Sequence, residues 1–404
     1  MKKLLLALIT VSLFASGCTF INKKQADTKP YLVVLSLDGF RWDYPQTYNT
    51  PVLDSLQKAG VFAEMIPSFP SKTFPNHYTL ATGLYPDHHG IVMNSFYDPT
   101  TKRSYSVSDR KAVRDGSFYG GEPIWNTATK QGVRNAILFW VGSEANIQNM
   151  HPEKWYRYNQ KLPFTSRIDS VYDWLSLPAK VRPHLIMWYY PEPDGTGHHF
   201  GPHSPETKQM VEQLDSWLGQ FFTAMRRLPN FKNINFIITS DHGMQTLSPE
   251  RNIIIDKYID TADLSHITGN NPIYNLGVKP GKLEKVYAAL KKVHHLQVWK
   301  HDSLPERLHY GQNPRTLDLT LVADPGWSLY WSWAVGTEKG THGYDNADRD
   351  MHAIFYAAGP AFKKDYHAPT FRNVDVYPLM AKILNLKPAP NDGSLKEVQN
   401  MLKK

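Results

Sequence analysis

Asp241, His242 and Gly243 follow the apolar run Ile234-Asn235-Phe236-Ile237-Ile238-Thr239. A short β-rich run of this kind reads as a buried strand, and ligands of open α/β sheets collect beyond the carboxyl ends of strands. A carboxylate and an imidazole side by side there suit a single divalent metal. The arrangement recurs upstream. Tyr31 to Leu37 reads as a strand delivering Asp38, and His184 to Tyr190 as another leading into Asp194-Gly195-Thr196-Gly197-His198. Three acidic residues thus arrive at strand ends, two with a histidine nearby, which predicts a two-metal hydrolase.

The second signal lies between Pro67 and Gly83, around Lys72-Thr73-Phe74-Pro75-Asn76-His77-Tyr78. Pro75 suits the first turn of a helix, so Thr73 is expected just before a helix N-terminus, where backbone N–H groups favour anions such as phosphate. A threonine in that place can serve as an N-cap. Beside a metal its hydroxyl becomes instead a nucleophile near neutral pH, and the company of Asp38, Asp241 and His242 favours that role.

The elements that must hold these residues alternate along the chain. Strands are expected at 31–37, near 135–140, at 184–190 and at 234–239, with helices near 51–59, near 167–175 and at 205–226. A late strand from Met351 to Ala357 and a closing helix from Val374 to Leu384 follow. The alternation predicts an α/β fold with a mostly parallel central sheet covered by helices on both faces. Between about 251 and 335 the grain changes. Strand-like runs at Leu317 to Ala323 and Trp327 to Trp333, with a helix-like stretch from Lys282 to Val293, suggest a small inserted α+β subdomain.

The set as a whole resembles the nucleotide pyrophosphatase/phosphodiesterase family of the alkaline phosphatase superfamily. The resemblance rests on Lys72 to Tyr78, then Thr82-Gly83-Leu84-Tyr85-Pro86-Asp87-His88-His89-Gly90, Asn94 and Tyr97-Asp98-Pro99. Glu192-Pro193-Asp194 with His198, Asp241 to Met244 and Thr341-His342-Gly343-Tyr344-Asp345-Asn346 complete it. Position by position, it implies two zinc ions, one held by Asp38, Thr73, Asp241 and His242, the other by Asp194, His198 and His342. It further implies that Thr73 attacks phosphorus and that Asn94, with the Thr73 backbone N–H, stabilises a non-bridging oxygen. Phe74, Tyr158 and Tyr189 fall where nucleotide-cleaving members enclose the base. His77, His88, His89, His199 and His203 receive no metal role and are read as mainly structural, as are Asp98 and Glu144.

Rival chemistries fit less well. A sulfatase needs a modified cysteine or serine before Pro-Ser-Arg, whereas Phe-Pro-Asn follows Thr73. A monoesterase needs an arginine for the extra phosphate charge, and no motif places one. A choline-lipid phosphodiesterase would lack Phe74, and a binding module that had lost catalysis would lack a ligand.

Lys2 and Lys3 before the apolar stretch Leu4 to Ala15, ending Ala15-Ser16-Gly17-Cys18, look like a bacterial lipoprotein leader at residues 1–17. Cys18, the single cysteine, would carry the lipid, and 18–29 would form a tether ahead of a catalytic domain at 30–404. Thr19 points to the outer membrane, facing the periplasm. With Cys18 acylated, no thiol remains for disulfides or cysteine chemistry. The formal charge of +8 is scattered, which favours anionic small molecules without implying a nucleic-acid or protein partner.

Overall fold

The computed structural model describes residues 30–404; the expected leader, Cys18 and tether lie outside them. Among the described residues the dominant element is a nine-stranded sheet. Its main strands are β1 (Tyr31–Leu37), β2 (Val61–Ile66), β3 (Asn135–Leu138), β4 (Lys154–Tyr156), β5 (Leu185–Tyr190), β6 (Ile234–Thr239) and β7 (Ala353–Ala358). They lie in the order β2-β7-β6-β1-β5-β3-β4, with Tyr366–His367 and Phe371–Arg372 both pairing alongside β2. The run β6-β1-β5-β3-β4 is parallel throughout, while β7 runs antiparallel to both β6 and β2. The sheet is therefore mostly parallel, as the alternation of elements implied.

Every residue of β1 and of β6 is buried, as expected for strands covered on both faces. Successive side chains of a strand point to opposite faces, and β1 divides its residues accordingly. Leu32 and Val34 join a core with Tyr78, Leu80, Trp125 and Tyr377 from the helices Thr73–Thr82, Ile124–Lys130 and Val376–Ile383. Tyr31, Val33, Leu35 and Leu37 join the opposite core, with residues from Pro51–Ala59, Phe164–Ser176 and Pro205–Arg226. Burial of each such leucine or valine contributes about 1.5–3 kcal/mol before entropy is counted.

Helix ends follow local chemistry. Ser204 caps Pro205–Arg226 by accepting from the Thr207 N–H, with Pro205 in the first turn. Thr73–Thr82 starts one residue earlier than expected. Lys72 occupies the N-cap without a side-chain cap bond, so Thr73 is the first helical residue and its hydroxyl is not used as a cap. Gly83 ends that helix in the left-handed region at φ 67°.

Between β6 and β7 a four-stranded antiparallel sheet forms from Leu264–Asn270, Ile273–Val278, Leu319–Ala323 and Leu296–Lys300, in that spatial order. The helix Leu283–Leu290 packs on it through Val286 and Leu290, giving a core of its own with Leu276, Val298 and Leu321. Strand Val61–Ile66 was not legible in the sequence. Its burial alternates regularly, and Val61 to Met65 pair with Ala357 to Ala353 of β7, but at six residues with a charged Glu64 the run was too short and mixed to stand out.

Candidate metal and phosphoester site

The adjacent strands β6, β1 and β5 deliver Asp241, Asp38 and Asp194 to one end of the sheet. Asp38 follows β1 directly, and its N–H donates to the Tyr190 carbonyl of β5. Gly39 then turns at φ 67°, where a Cβ would meet Asp194 Cα at 2.9 Å. Only glycine lets the two acidic loops approach so closely, and they are joined there by the Asp194 N–H donating to the Asp38 carbonyl at 3.0 Å. Asp194 begins the short helix Asp194–Phe200, which carries His198 one turn later on the same side. His342 follows the strand Gly340–Thr341, which pairs with Gln245–Thr246 just beyond His242.

The three histidines are set alike. Nδ1 of His242 lies 2.8 Å from the Gly243 carbonyl, Nδ1 of His198 2.8 Å from that of Gly340, and Nδ1 of His342 2.8 Å from that of Ser71. A carbonyl can only accept, so each Nδ1 carries the proton and each Nε2 presents a lone pair.

Those lone pairs converge on carboxylate oxygens. His242 Nε2 lies 3.4 Å from Asp38 Oδ1 and 3.1 Å from Asp241 Oδ2. Asp194 Oδ1 is 3.4 Å from His198 Nε2 and 3.5 Å from His342 Nε2. The same three oxygens, Asp38 Oδ1, Asp194 Oδ1 and Asp241 Oδ2, are buried and lack any hydrogen-bond partner. Buried acceptors with no donor are costly, and with three facing deprotonated nitrogens the arrangement suits a cation between them. Donor atoms about 2.0–2.1 Å from a tetrahedral zinc stand about 3.3–3.4 Å apart, close to the spacings here. Among the described residues two groups could hold a metal: Asp194, His198 and His342, and Asp38, Asp194 and His242. Asp194 therefore lies within reach of both groups, whereas the sequence assigned it to one.

Electrostatics reflect the crowding. Burial, and then the charges of Asp241 and Asp194, push the Asp38 carboxyl well above its ordinary value. Asp241 is buried too, but His242 and His77 hold it well below. Burial drives His342 well below the usual imidazole range, helped by His242 and Lys72.

Thr73 Oγ1 sits 3.1 Å from His242 Nε2 at the rim of this cluster. The Phe74 N–H donates to Asn94 Oδ1 at 3.0 Å. This fixes the amide with its Nδ2 end free to donate. Phe74, Tyr158 and Tyr189 line one cavity of about 210 Å3 that opens onto Thr73. The Tyr158 and Tyr189 rings are 6.2 Å apart and tilted by 48°. The structure thus brings together every metal-site and aromatic candidate among the described residues.

It also shows neighbours that the sequence did not flag. Trp140, Phe139, Val107 and Arg110 complete the cavity wall. Glu144, read as structural, pairs there with Arg110 and accepts from the Tyr158 N–H. Lys72 is buried beside Thr73, donates to the Asn271 carbonyl at 2.7 Å and is driven down to about 7 by burial. His77 is more than filler, since its Nδ1 lies 3.0 Å from the Thr73 carbonyl and 3.2 Å from Asp241 Oδ2. No motif arithmetic finds wall residues contributed one at a time by separate loops. The Lys72-Thr73 and His77 signals, in contrast, sat inside a motif already singled out. His88 pairs with Asp392 at the surface, and Asp98 binds Arg315 and a local turn. His199 packs edge-on against Phe200, and His203 is exposed.

A mixed α/β sheet with acidic and imidazole ligands at the ends of its central strands, beside a helix that begins at a threonine, defines a metal-dependent phosphoester hydrolase of the alkaline phosphatase superfamily. Residues 32–345 match the family model "Type I phosphodiesterase / nucleotide pyrophosphatase". Ectonucleotide pyrophosphatase/phosphodiesterase family member 5 of Homo sapiens is 36% identical over 99% of this chain and 83% of its own length. Family member 1 of Homo sapiens is also 36% identical, over 96% of this chain but 44% of that protein. The venom phosphodiesterase of Crotalus durissus collilineatus is 36% identical, with 92% and 46% covered. The chain thus spans less than half the length of these last two. The solved structure of murine member 5 superposes with a TM-score of 0.89 at 36% identity, covering 93% of this chain and all of that one. A second murine structure is an inactive threonine-to-alanine variant in complex with AMP. The chain belongs to the nucleotide pyrophosphatase/phosphodiesterase family, and it is an enzyme of phosphodiester hydrolysis.

Proposed function

We propose that this enzyme is a two-zinc hydrolase that cleaves phosphodiester or pyrophosphate bonds of nucleotides, releasing nucleoside 5′-monophosphates through a covalent intermediate on Thr73. The observation that carries the reading is the pair of donor groups sharing Asp194, with the Thr73 hydroxyl at their edge and an aromatic cavity behind it. Asp38, Asp241 and His242 with Thr73 would hold one zinc; Asp194, His198 and His342 the other. Bound zinc would offset the three carboxylate charges, favour the deprotonated hydroxyl and polarise the substrate's P–O bonds.

Thr73 Oγ1 forms a bond to phosphorus as the bond to the leaving oxygen breaks, and the departing alcohol or phosphate takes up the proton. Asn94 Nδ2 and the Thr73 N–H donate to a non-bridging oxygen as charge builds on it. Water then cleaves the bond between phosphorus and Thr73, and two in-line displacements give net retention. Phe74, Tyr158 and Tyr189 present ring faces to the base, a contact tolerant of base identity. The AMP complex of the murine relative supports the nucleotide assignment.

The test compares bis(p-nitrophenyl) phosphate with p-nitrophenyl phosphate after zinc is restored to chelated protein. Faster diester hydrolysis is expected. Monoester turnover well above it would overturn the diesterase assignment, and no turnover of either would favour a binding lipoprotein. For location we propose a bacterial envelope protein anchored by lipid on Cys18 to the outer membrane. Among the described residues no helix is long and apolar enough to cross a membrane. A Cys18→Ala variant is expected in the soluble fraction; retention in the membrane fraction would remove the lipid assignment.

A further inference from the structure

Tyr189 faces two sites at once. Its ring lines the cavity shared with Phe74 and Tyr158, and packs edge-on against His77 with centroids 5.0 Å apart. Its hydroxyl leaves that cavity and donates to Asp38 Oδ2 at 2.6 Å. A carboxylate so held on one oxygen can rotate little, and here the other oxygen, Asp38 Oδ1, has no donor and lies 3.4 Å from His242 Nε2. The backbone of Tyr189 is fixed as well. Its residue pairs with Ser36 in the parallel β5–β1 register, and buried Arg167 donates Nη1 to its carbonyl. The tyrosine is therefore a rigid link, clamped at its main chain, between the cavity wall and a candidate metal ligand. Partners that orient ligating carboxylates and imidazoles commonly change metal affinity 10–100-fold.

We propose that Tyr189 is a positioning residue whose hydroxyl turns Asp38 so that Oδ1 faces the cation site, while its ring joins that site to the nucleobase cavity. The inference rests on the two-zinc nucleotide diesterase reading above. It assigns the ring and the hydroxyl separable tasks, which base stacking alone does not.

Tyr189→Phe removes the hydroxyl and keeps the ring, and Tyr189→Leu removes both. Zinc affinity is measured by competition with a chromophoric chelator. kcat and KM are measured on bis(p-nitrophenyl) phosphate, which has no base, and on the p-nitrophenyl ester of thymidine 5′-monophosphate. Thermal unfolding reports folding. For Tyr189→Phe, zinc binding about 10–100-fold weaker than wild type is expected. Both substrates should lose activity in equal proportion, excess zinc should restore it, and the KM for the nucleotide ester should hold. Tyr189→Leu adds a loss on the nucleotide ester only. Zinc affinity within about twofold of wild type in Tyr189→Phe, or a Tyr189→Phe defect confined to the nucleotide ester, overturns the inference. A wild-type protein that binds no zinc overturns the two-zinc reading and this inference with it, so the two failures are told apart.

Discussion

Asn94 offers the sharpest separation between a structural and a catalytic role, because its two amide ends face different partners. Oδ1 accepts from the Phe74 N–H at 3.0 Å. Among the described residues Nδ2 makes no hydrogen bond, and in the proposed mechanism it donates to the phosphoryl oxygen. Asn94→Ala removes both interactions. Loss of the backbone bond costs about 1 kcal/mol of stability, and loss of an oxyanion donor costs about 2.7–4 kcal/mol of transition-state stabilisation, or about 10²–10³ in kcat. Asn94→Asp separates the two effects. A carboxylate still accepts from the Phe74 N–H, so thermal stability stays near wild type, but the donor is replaced by a negative charge facing a negatively charged substrate. The expected order of kcat is therefore wild type, then Asn94→Ala, with Asn94→Asp equal or lower. The expected order of stability is wild type and Asn94→Asp together, then Asn94→Ala. Both are read from bis(p-nitrophenyl) phosphate kinetics under saturating zinc and from unfolding midpoints. An Asn94→Asp variant that turns over like wild type would reduce Asn94 to a loop brace and refute the reasoning.

Thr73→Ala is expected to lower kcat by about 10⁴-fold or more while zinc content holds through Asp38, Asp241 and His242 and the unfolding midpoint holds because the hydroxyl does not cap its helix; activity within tenfold of wild type would mean another nucleophile. Phe74→Leu or Tyr158→Leu should raise KM for the nucleotide ester about tenfold, taking base stacking as about 1–3 kcal/mol, and leave bis(p-nitrophenyl) phosphate kinetics alone; equal losses on both substrates would argue for core packing instead. Acid stability should depend on His89, which burial pushes down to about 3. Its Nδ1 already accepts from the Ile91 N–H at 3.1 Å, so a second ring proton has no place. The unfolded chain protonates this imidazole near pH 6.5 and the folded one does not until far lower, so stability falls as pH drops from about 6.5 towards 3, with a slope approaching one proton, about 1.4 kcal/mol per pH unit. A His89→Gln variant should show a shallower fall in unfolding midpoint between pH 6.5 and 4.5; parallel curves would exclude His89 as the cause.

Much of this fold was legible because its central strands are unusually explicit. Tyr31–Leu37 and Ile234–Thr239 are largely apolar runs, buried along their whole length, and Asp38 and Asp241 follow them within two residues. Legibility failed where tertiary context overrode local preference. Asp194–Phe200 is helical although Gly195 and Gly197 disfavour helix. The Glu192 carboxylate compensates by accepting from both the N–H and the hydroxyl of Thr196. Met351 to Ala357 was recognised as a strand, but its direction was hidden. Ala353–Ala358 runs against β6 because of how the chain returns from the second sheet, and no side-chain pattern encodes that. At the site, the ligand types were readable from motifs, whereas the carbonyls of Gly243, Gly340 and Ser71 that fix the imidazoles are backbone atoms and leave no trace in residue identity.

The link between fold and chemistry lies in the strand order. Because β6, β1 and β5 are neighbours, carboxylates far apart in sequence are forced within a few ångströms of one another, at the end of the sheet where little water reaches them. Taking even one ionised carboxylate out of water costs several kcal/mol unless something compensates. The protein offers few compensating donors: Asp38 has Tyr189 on one oxygen, and Asp241 has the Gly39 N–H and Ser240 on one oxygen with His77 Nδ1 3.2 Å from the other, while the inward oxygens make no hydrogen bond. A sequence selected for stability alone would have covered those atoms with hydroxyls or amides. Leaving three of them bare and aimed at three imidazole lone pairs makes the folded state costly without cations, and makes cation binding correspondingly favourable.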